Sequence, residues 1–431
     1  MFSREAQNYI EHRGANEGRV VLHSDLNNFF ASVECLKHRS LRSYPVAVCG
    51  SIEDRHGIVL AKNNIAKKCG IKTGQVIWQA KQQCPDLVIL HPNYDDYLYY
   101  SEVVRDIYST FSDRVEPFGM DEAWLELTGI CGVKTISDGV KTANMIRKAV
   151  YEKTGLTLSV GVSDNKTFAK LASDYKKPDA VTVFSPKQYP GVISKLPIGD
   201  IMFAGRSTQK RLKIFNIETI GDAASHNCEF FKSSLGKNGV GLYHSVCGHD
   251  VSPVQRYGAD EVIKSIGNST TPPRDIYGIE DVKVILFALC DKVAARLRKA
   301  GYKATVIQIH VRDTELNVAE RQCGMIPSDS TEFISEHALR LFLDNFAPDV
   351  KLRSLGVRTS GLIKGEVCYQ GSMFDDGAER EKKRSVIDKT VDELRARFGV
   401  GIIRRAVLCS DKSVYAARDA EKNVVQPFNT H

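Results

Sequence analysis

The chain lacks the patterns that would place it in a membrane, outside a cell or around a structural metal. None of its apolar runs is long enough to cross a bilayer. Its start, Met1-Phe-Ser-Arg-Glu-Ala-Gln, has no apolar segment of the kind that a secretion signal needs. The 11 cysteines are scattered singly from Cys35 to Cys409 with no CxxC spacing, which argues against a zinc ribbon or a dithiol redox motif. An odd number of thiols suits a reducing compartment, so a cytoplasmic location is expected, or a nuclear one in a host that has a nucleus. Internal repeats and low-complexity tracts are missing as well. Positive charge exceeds negative only modestly, by +7, which permits a polyanionic partner without requiring one.

What is present is a chain of 431 residues, too long for one ordinary core and therefore expected to form several domains. Apolar residues make up 42% and charged residues 26%, the balance of a globular protein. An apolar strand over 19–24 runs into Asp25, and a helical pattern follows over 28–36. Further strands are expected at 44–49, 124–127 and 156–161, and an element begins at 58–61. Helices are expected at 96–111 and 165–175 from apolar residues at helical spacing. Near Ser185-Pro186 the pattern changes to short helices punctuated by glycine, through 196–249. A polar linker at 252–260 leads to an α+β unit with helices at 282–300 and 332–346 and strands at 304–311 and 352–359. The remainder is charged, and 380–397 is helix-like but poorly amphipathic, the segment least expected to pack.

Asp25 ends one apolar strand, and Asp121-Glu122 begins another between Phe118 and Trp124. Either site alone reads as a helix cap or a solvated strand end. Together in one α/β unit, three carboxylates at strand ends can hold two divalent cations. One ion would activate an attacking oxygen while the other stabilises the leaving oxygens. Hard oxygen ligands favour two Mg2+ ions.

Four blocks in order carry a family resemblance. His23-Ser-Asp-Leu-Asn-Asn-Phe-Phe-Ala-Ser-Val-Glu34 and Gly119-Met-Asp-Glu-Ala-Trp-Leu-Glu126 are the acidic signatures. They are joined by Gly57-Ile-Val-Leu-Ala-Lys-Asn-Asn-Ile-Ala-Lys-Lys-Cys-Gly70 and by 160–172 followed by Lys177-Pro178. The chain resembles the Y-family, lesion-bypass DNA polymerases over nearly its whole length, and within them the bacterial polymerase IV-like enzymes.

The resemblance implies an α/β plus α+β multidomain right hand. Its palm would be 18–30 with 93–184, small fingers 31–92 and a helix-hairpin-helix thumb 185–251. A linker at 252–262, a little finger at 263–367 and a charged tail at 368–431 would follow. It implies an error-prone, template-directed nucleotidyltransferase acting on primer-template DNA and deoxynucleoside triphosphates, as a monomer.

Asp25, Asp121 and Glu122 would be the catalytic metal ligands, joined by the carbonyl of Leu26. Phe29 and Phe30 would contact the nucleotide, with Phe30 at the steric gate against a ribose 2′-hydroxyl. Lys67 and Lys177 would meet the triphosphate. Two positions depart from the pattern. Asn27 stands where many members have Asp, and Asn64 stands where the family usually has a triphosphate-contacting Tyr, which implies weaker nucleotide binding.

Other segments point to DNA and to a partner. Gly205, Arg206 and Lys210 belong to a first hairpin-like element, and Gly236, Lys237 and Gly239 to a second. Glycine backbones and helix N-termini there can meet phosphates without reading sequence. Lys264 and Ser265 stand at the entrance to the little finger. Gln370, Met373 and Phe374, in Gln370-Gly-Ser-Met-Phe374, are similar to a bacterial sliding-clamp peptide, with an apolar pair for a pocket and Gln370 at its rim. A clamp-recruited DNA-binding repair protein without polymerase activity is one alternative. A two-metal nuclease, which needs neither steric gate nor triphosphate lysines, is another.

Overall fold

The structure is a computed structural model describing residues 16, 18–51, 57–185, 189, 191–259, 263–347, 349–365, 377–399 and 401–409. Residues 1–15 and the clamp-like peptide at 370–374 lie outside this set.

The N-terminal half is built on β1 (Val21–Leu26), which is buried along its length. Helix α1 (Phe29–Lys37) follows and sends Phe29 and Val33 into the core beneath the sheet. A small three-stranded unit comes next. It contains β2 (Val46–Cys49), β3 (Val59–Lys62), the short helices α2 (Asn64–Lys68) and α3 (Ile77–Gln83), and β4 (Val88–Leu90). Its strands run in the order β3-β2-β4 over a private core that includes Ala47, Val59, Ile71 and Leu87.

The chain then returns through α4 (Tyr94–Ser109), β5 (Val115–Pro117), β6 (Glu122–Glu126), α5 (Ile136–Thr154), β7 (Leu158–Ser163), α6 (Lys166–Tyr175) and β8 (Val181–Val183). These complete a five-stranded sheet in the order β5-β6-β1-β7-β8, with β1 at its centre and antiparallel to both neighbours. Alternation along β1 sends Leu22 and Leu26 into one core with Val104 of α4 and Ile146 of α5. Val21 faces the opposite layer, where α6 packs through Ala169. Gly161 is required there, because a Cβ would lie 1.8 Å from the Ala169 carbonyl oxygen. The sequence reading misses α5; its buried face is partly Gly139 and Ala143, small residues with little apolar signal. A capping box between Thr135 and Asp138 starts that helix.

A helical lobe follows: α7 (Arg206–Lys213), α8 (Ile220–Ala224), α9 (Cys228–Leu235) and α10 (Lys237–Val246). Its core includes Phe168, Leu171 and Ala172 from α6, so that helix serves both lobes. The polar stretch after it lies against the sheet lobe, with Val254 buried and the Gln255 amide donating to Glu116 at 2.9 Å.

The last lobe is a four-stranded antiparallel sheet, β11-β10-β12-β9, made from β9 (Ser265–Thr270), β10 (Tyr302–Asp313), β11 (Val318–Ser328) and β12 (Leu352–Lys364). Helices α11 (Gly278–Ala300) and α12 (Thr331–Asn345) share its core. The structure corrects the expectation for the charged segment beyond it. Helix α13 (Gly377–Phe398) is packed, and charge rather than an apolar stripe holds it. Arg298 grips Asp392 with two hydrogen bonds, 2.6 and 3.0 Å, and Arg395 reaches Asp291 at 2.8 Å. Asp388 is 3% exposed, accepts the Thr331 amide at 2.8 Å and pairs with Arg405 at 2.9 Å. Amphipathicity could not reveal this docking, because the contacts are ion pairs and a helix cap.

Candidate active site

The antiparallel register of β1 and β6 sets Asp25 opposite Glu122, and the Leu26 amide donates to the Asp121 carbonyl at 3.0 Å. The three acids thus stand at one end of two adjacent strands. Their side chains do not converge. Asp25 and Asp121 line a cleft of about 260 Å³ together with Leu26, Asn28, Phe29, Phe30 and Lys177. Glu122 instead takes the Lys170 ammonium at 2.5 Å, with the buried His23 ring nitrogen 3.4 Å away. Among the described residues no three His, Cys, Asp or Glu side chains form a ready-made metal cluster.

The electrostatics of Asp25 and Asp121 are those of a site short of positive charge. Burial, with Glu122 adding repulsion, pushes Asp25 up to about 6 despite its contact with Lys177. Burial, then Asp25 and Glu122, pushes Asp121 up to about 7. Two crowded carboxylates that resist ionisation, with Leu26 lining the same cleft, are a donor set that suits a hard divalent cation. Lys177 donates to Asp25 at 2.6 Å and pairs with Asp174 at 2.7 Å. Burial opposes its charge, but the two acids outweigh that and hold it above the usual lysine value.

Around this centre, Phe30 stacks on Tyr97 at 4.2 Å between ring centroids, nearly parallel at 9°. Asn27 is buried: its amide nitrogen donates to Ser159 at 2.9 Å and its oxygen accepts the Asp179 amide at 2.7 Å. An amide can do both, and a carboxylate cannot donate. Asn28, in the left-handed region at φ 51°, donates to Asn64 at 3.0 Å. Asn64 at the start of α2 and Lys67 in its last turn are exposed and do not line the cleft.

The cleft instead contains Lys62 and Thr73, which the sequence reading passed over. A strand-end lysine reads as solvated, so only the fold could reveal it. His23, Lys170 and Asp174 likewise gain their roles only through partners distant in the chain.

The remaining candidates lie away from the cleft. Gly205 caps α7, and Arg206 and Lys210 are exposed on that helix. Gly236, at φ 67°, joins α9 to α10, and Lys237 is exposed at the first turn of α10. Gly239 is buried, and a Cβ there would sit 2.1 Å from the Phe231 carbonyl oxygen, so packing explains that glycine. Lys264 is exposed, and Ser265 accepts from Arg358 at 3.0 Å. Gln370, Met373 and Phe374 fall outside the described residues.

Two family models match the chain, the impB/mucB/samB family over 24–174 and the C-terminal domain of that family over 263–373. A DNA polymerase IV of Acetivibrio thermocellus is 45% identical over 92% of this chain and 99% of its own length. The chain belongs to the Y-family DNA polymerases. A DNA polymerase IV 1 of Bacillus subtilis is 31% identical over 95% of this chain and 98% of its own. A solved Y-family DNA polymerase chimera matches the fold with a TM-score of 0.70 and 22% identity, covering 80% of this chain and all of that one. The expected architecture, a hand with palm, fingers, thumb and little finger, is therefore the fold of this chain. Membership also carries the enzyme class, a DNA-directed DNA polymerase. Divalent-metal dependence is general to the family.

Proposed function

We propose that the chain is an error-prone, template-directed DNA polymerase that adds deoxynucleotides to a primer 3′ end and copies past damaged template bases. The observation that carries this reading is one cleft holding Asp25, Asp121, Phe29, Phe30 and Lys177 together. Asp25 and Asp121, with the Leu26 carbonyl and with Glu122 from the start of β6, would hold two Mg2+ ions. When bound, the ions would supply activation of the primer hydroxyl and charge stabilisation of the leaving oxygens.

The chain's own residues do the rest. Lys177, poised between Asp25 and Asp174, presents its ammonium to the triphosphate. Phe30 is held by its stack on Tyr97, which fixes the ring where a ribose 2′-hydroxyl would collide with it. The three-stranded unit that walls the cleft has a small core, so it encloses a nascent pair loosely and tolerates a damaged template.

In this reading the palm is 18–30 with 93–184, the fingers 31–92, the thumb 185–251, the linker 252–262, the little finger 263–367 and the tail 368–431. Arg206, Lys210, Lys237 and Lys264 offer exposed positive charge to the DNA backbone. Gln370, Met373 and Phe374 would bind a sliding clamp; a pull-down that is undiminished by Met373→Ala with Phe374→Ala removes that part. The deciding experiment is primer extension with Mg2+ on undamaged and damaged templates, with Asp121→Ala as control. Extension is expected from the wild type alone, and activity that survives in the variant overturns the site.

A further inference from the structure

We propose that Lys62 is a nucleotide-binding residue, meeting the triphosphate from the β3 wall of the cleft while Lys177 approaches from the end of α6. This inference rests on the polymerase reading above. Of the lysines near α2, Lys62 lines the cleft and Lys67 does not. The Lys62 ammonium donates to Thr73 Oγ1 at 3.1 Å, and Thr73 lines the same cleft.

No described carboxylate pairs with Lys62, whereas Lys177 is engaged by both Asp25 and Asp174. An ammonium has three donors, and Thr73 takes one. Burial, and then Lys67, lowers its pKa from the usual lysine value, as befits a cation kept part-buried without an acid. A site of this kind is stabilised by an anion that supplies the missing negative charge.

Asn64 strengthens the argument. It is exposed, and its oxygen is occupied by the Asn28 amide at 3.0 Å. The place where relatives would put a Tyr thus does not line the cleft, and Lys62, two residues earlier at the end of β3, does. Lys62 compensates for the loss at position 64.

The test is single-nucleotide incorporation on primer-template DNA by wild type, Lys62→Met, Lys62→Arg and Lys62→Met with Asn64→Tyr. Primer-template affinity and thermal melting are measured on each. Lys62→Met should raise the KM for the deoxynucleotide about tenfold, the scale of losing a hydrogen bond to a charged group. It should weaken the nucleotide-induced rise in melting temperature of the protein–DNA complex as well. Arg should restore most of the affinity and Tyr at position 64 part of it. Should the Met variant unfold, Lys62→Gln replaces it. A KM unchanged in the neutral variant, or an Arg variant as weak as Met, overturns the role of Lys62 and leaves the polymerase reading standing. A wild type that fails to extend primers overturns both.

Discussion

Two groups of carboxylates in this chain, one at the docked C-terminal helix and one at the end of β1 and β6, are treated in opposite ways by their surroundings. At the docked C-terminal helix, Asp388 and Asp392 meet Arg298 and Arg405, and Asp388 also accepts the Thr331 amide. Every charge there has a partner, so the group works as a clasp. At the end of β1 and β6, Asp25 and Asp121 share one lysine and repel each other. That cluster is left short of positive charge, and on the proposed function a cation with its polyanionic substrate would complete it. The same residue type therefore marks a fastening in one lobe and a reactive site in another, and the count of nearby cations distinguishes them.

The largest test of this contrast is Asp121→Ala. Primer extension should fall by about a thousandfold or more, the usual scale for removing a metal-holding or charge-stabilising group. The corresponding change in the clasp, Asp388→Ala, should cost about 3 kcal/mol of stability by removing the partner of Arg405 and the acceptor of the Thr331 amide. Urea unfolding would read the loss, and catalysis per folded molecule should change far less. Equal effects of the two substitutions on catalysis would dissolve the distinction.

Gly161→Ala should cost about 2–4 kcal/mol, because its methyl group would meet the backbone of α6. It should also slow incorporation, since α6 carries Lys170 and Asp174 and leads to Lys177.

A smaller effect concerns the metal-free protein. The folded pKa of Asp121 lies above its unfolded value, so this group's contribution to stability is full below about pH 4. It is lost as pH rises through about 7. In chelator at pH 8, Asp121→Asn should therefore stabilise the protein by about 1–2 kcal/mol, allowing for partial exposure. A melting temperature lowered by that substitution would show the site is not charge-starved. The smallest effect expected is from Asn64→Tyr, a gain of a few-fold in apparent nucleotide affinity through ring contact.

Much of this was legible in the sequence because it depends on local pattern. Asp25 and Asp121-Glu122 were visible as acids at the ends of apolar strands, which located β1 and β6, and alternation located β7. The small-residue face of α5 carried too little signal to reveal that helix. Which carboxylates face the cleft was also illegible, since Glu122 turns to Lys170, which lies 48 positions further along the chain.

The sequence by itself determined the central strands β1, β6 and β7 and the acids at their ends. These follow from side-chain pattern, which acts within a few residues. Only the tertiary structure decided that Lys62 rather than Lys67 enters the cleft, that Asn27 ties β1 to β7, and that α13 is docked. Each of these rests on charge and hydrogen-bond partners brought together from distant parts of the chain, where spacing along the sequence carries no information.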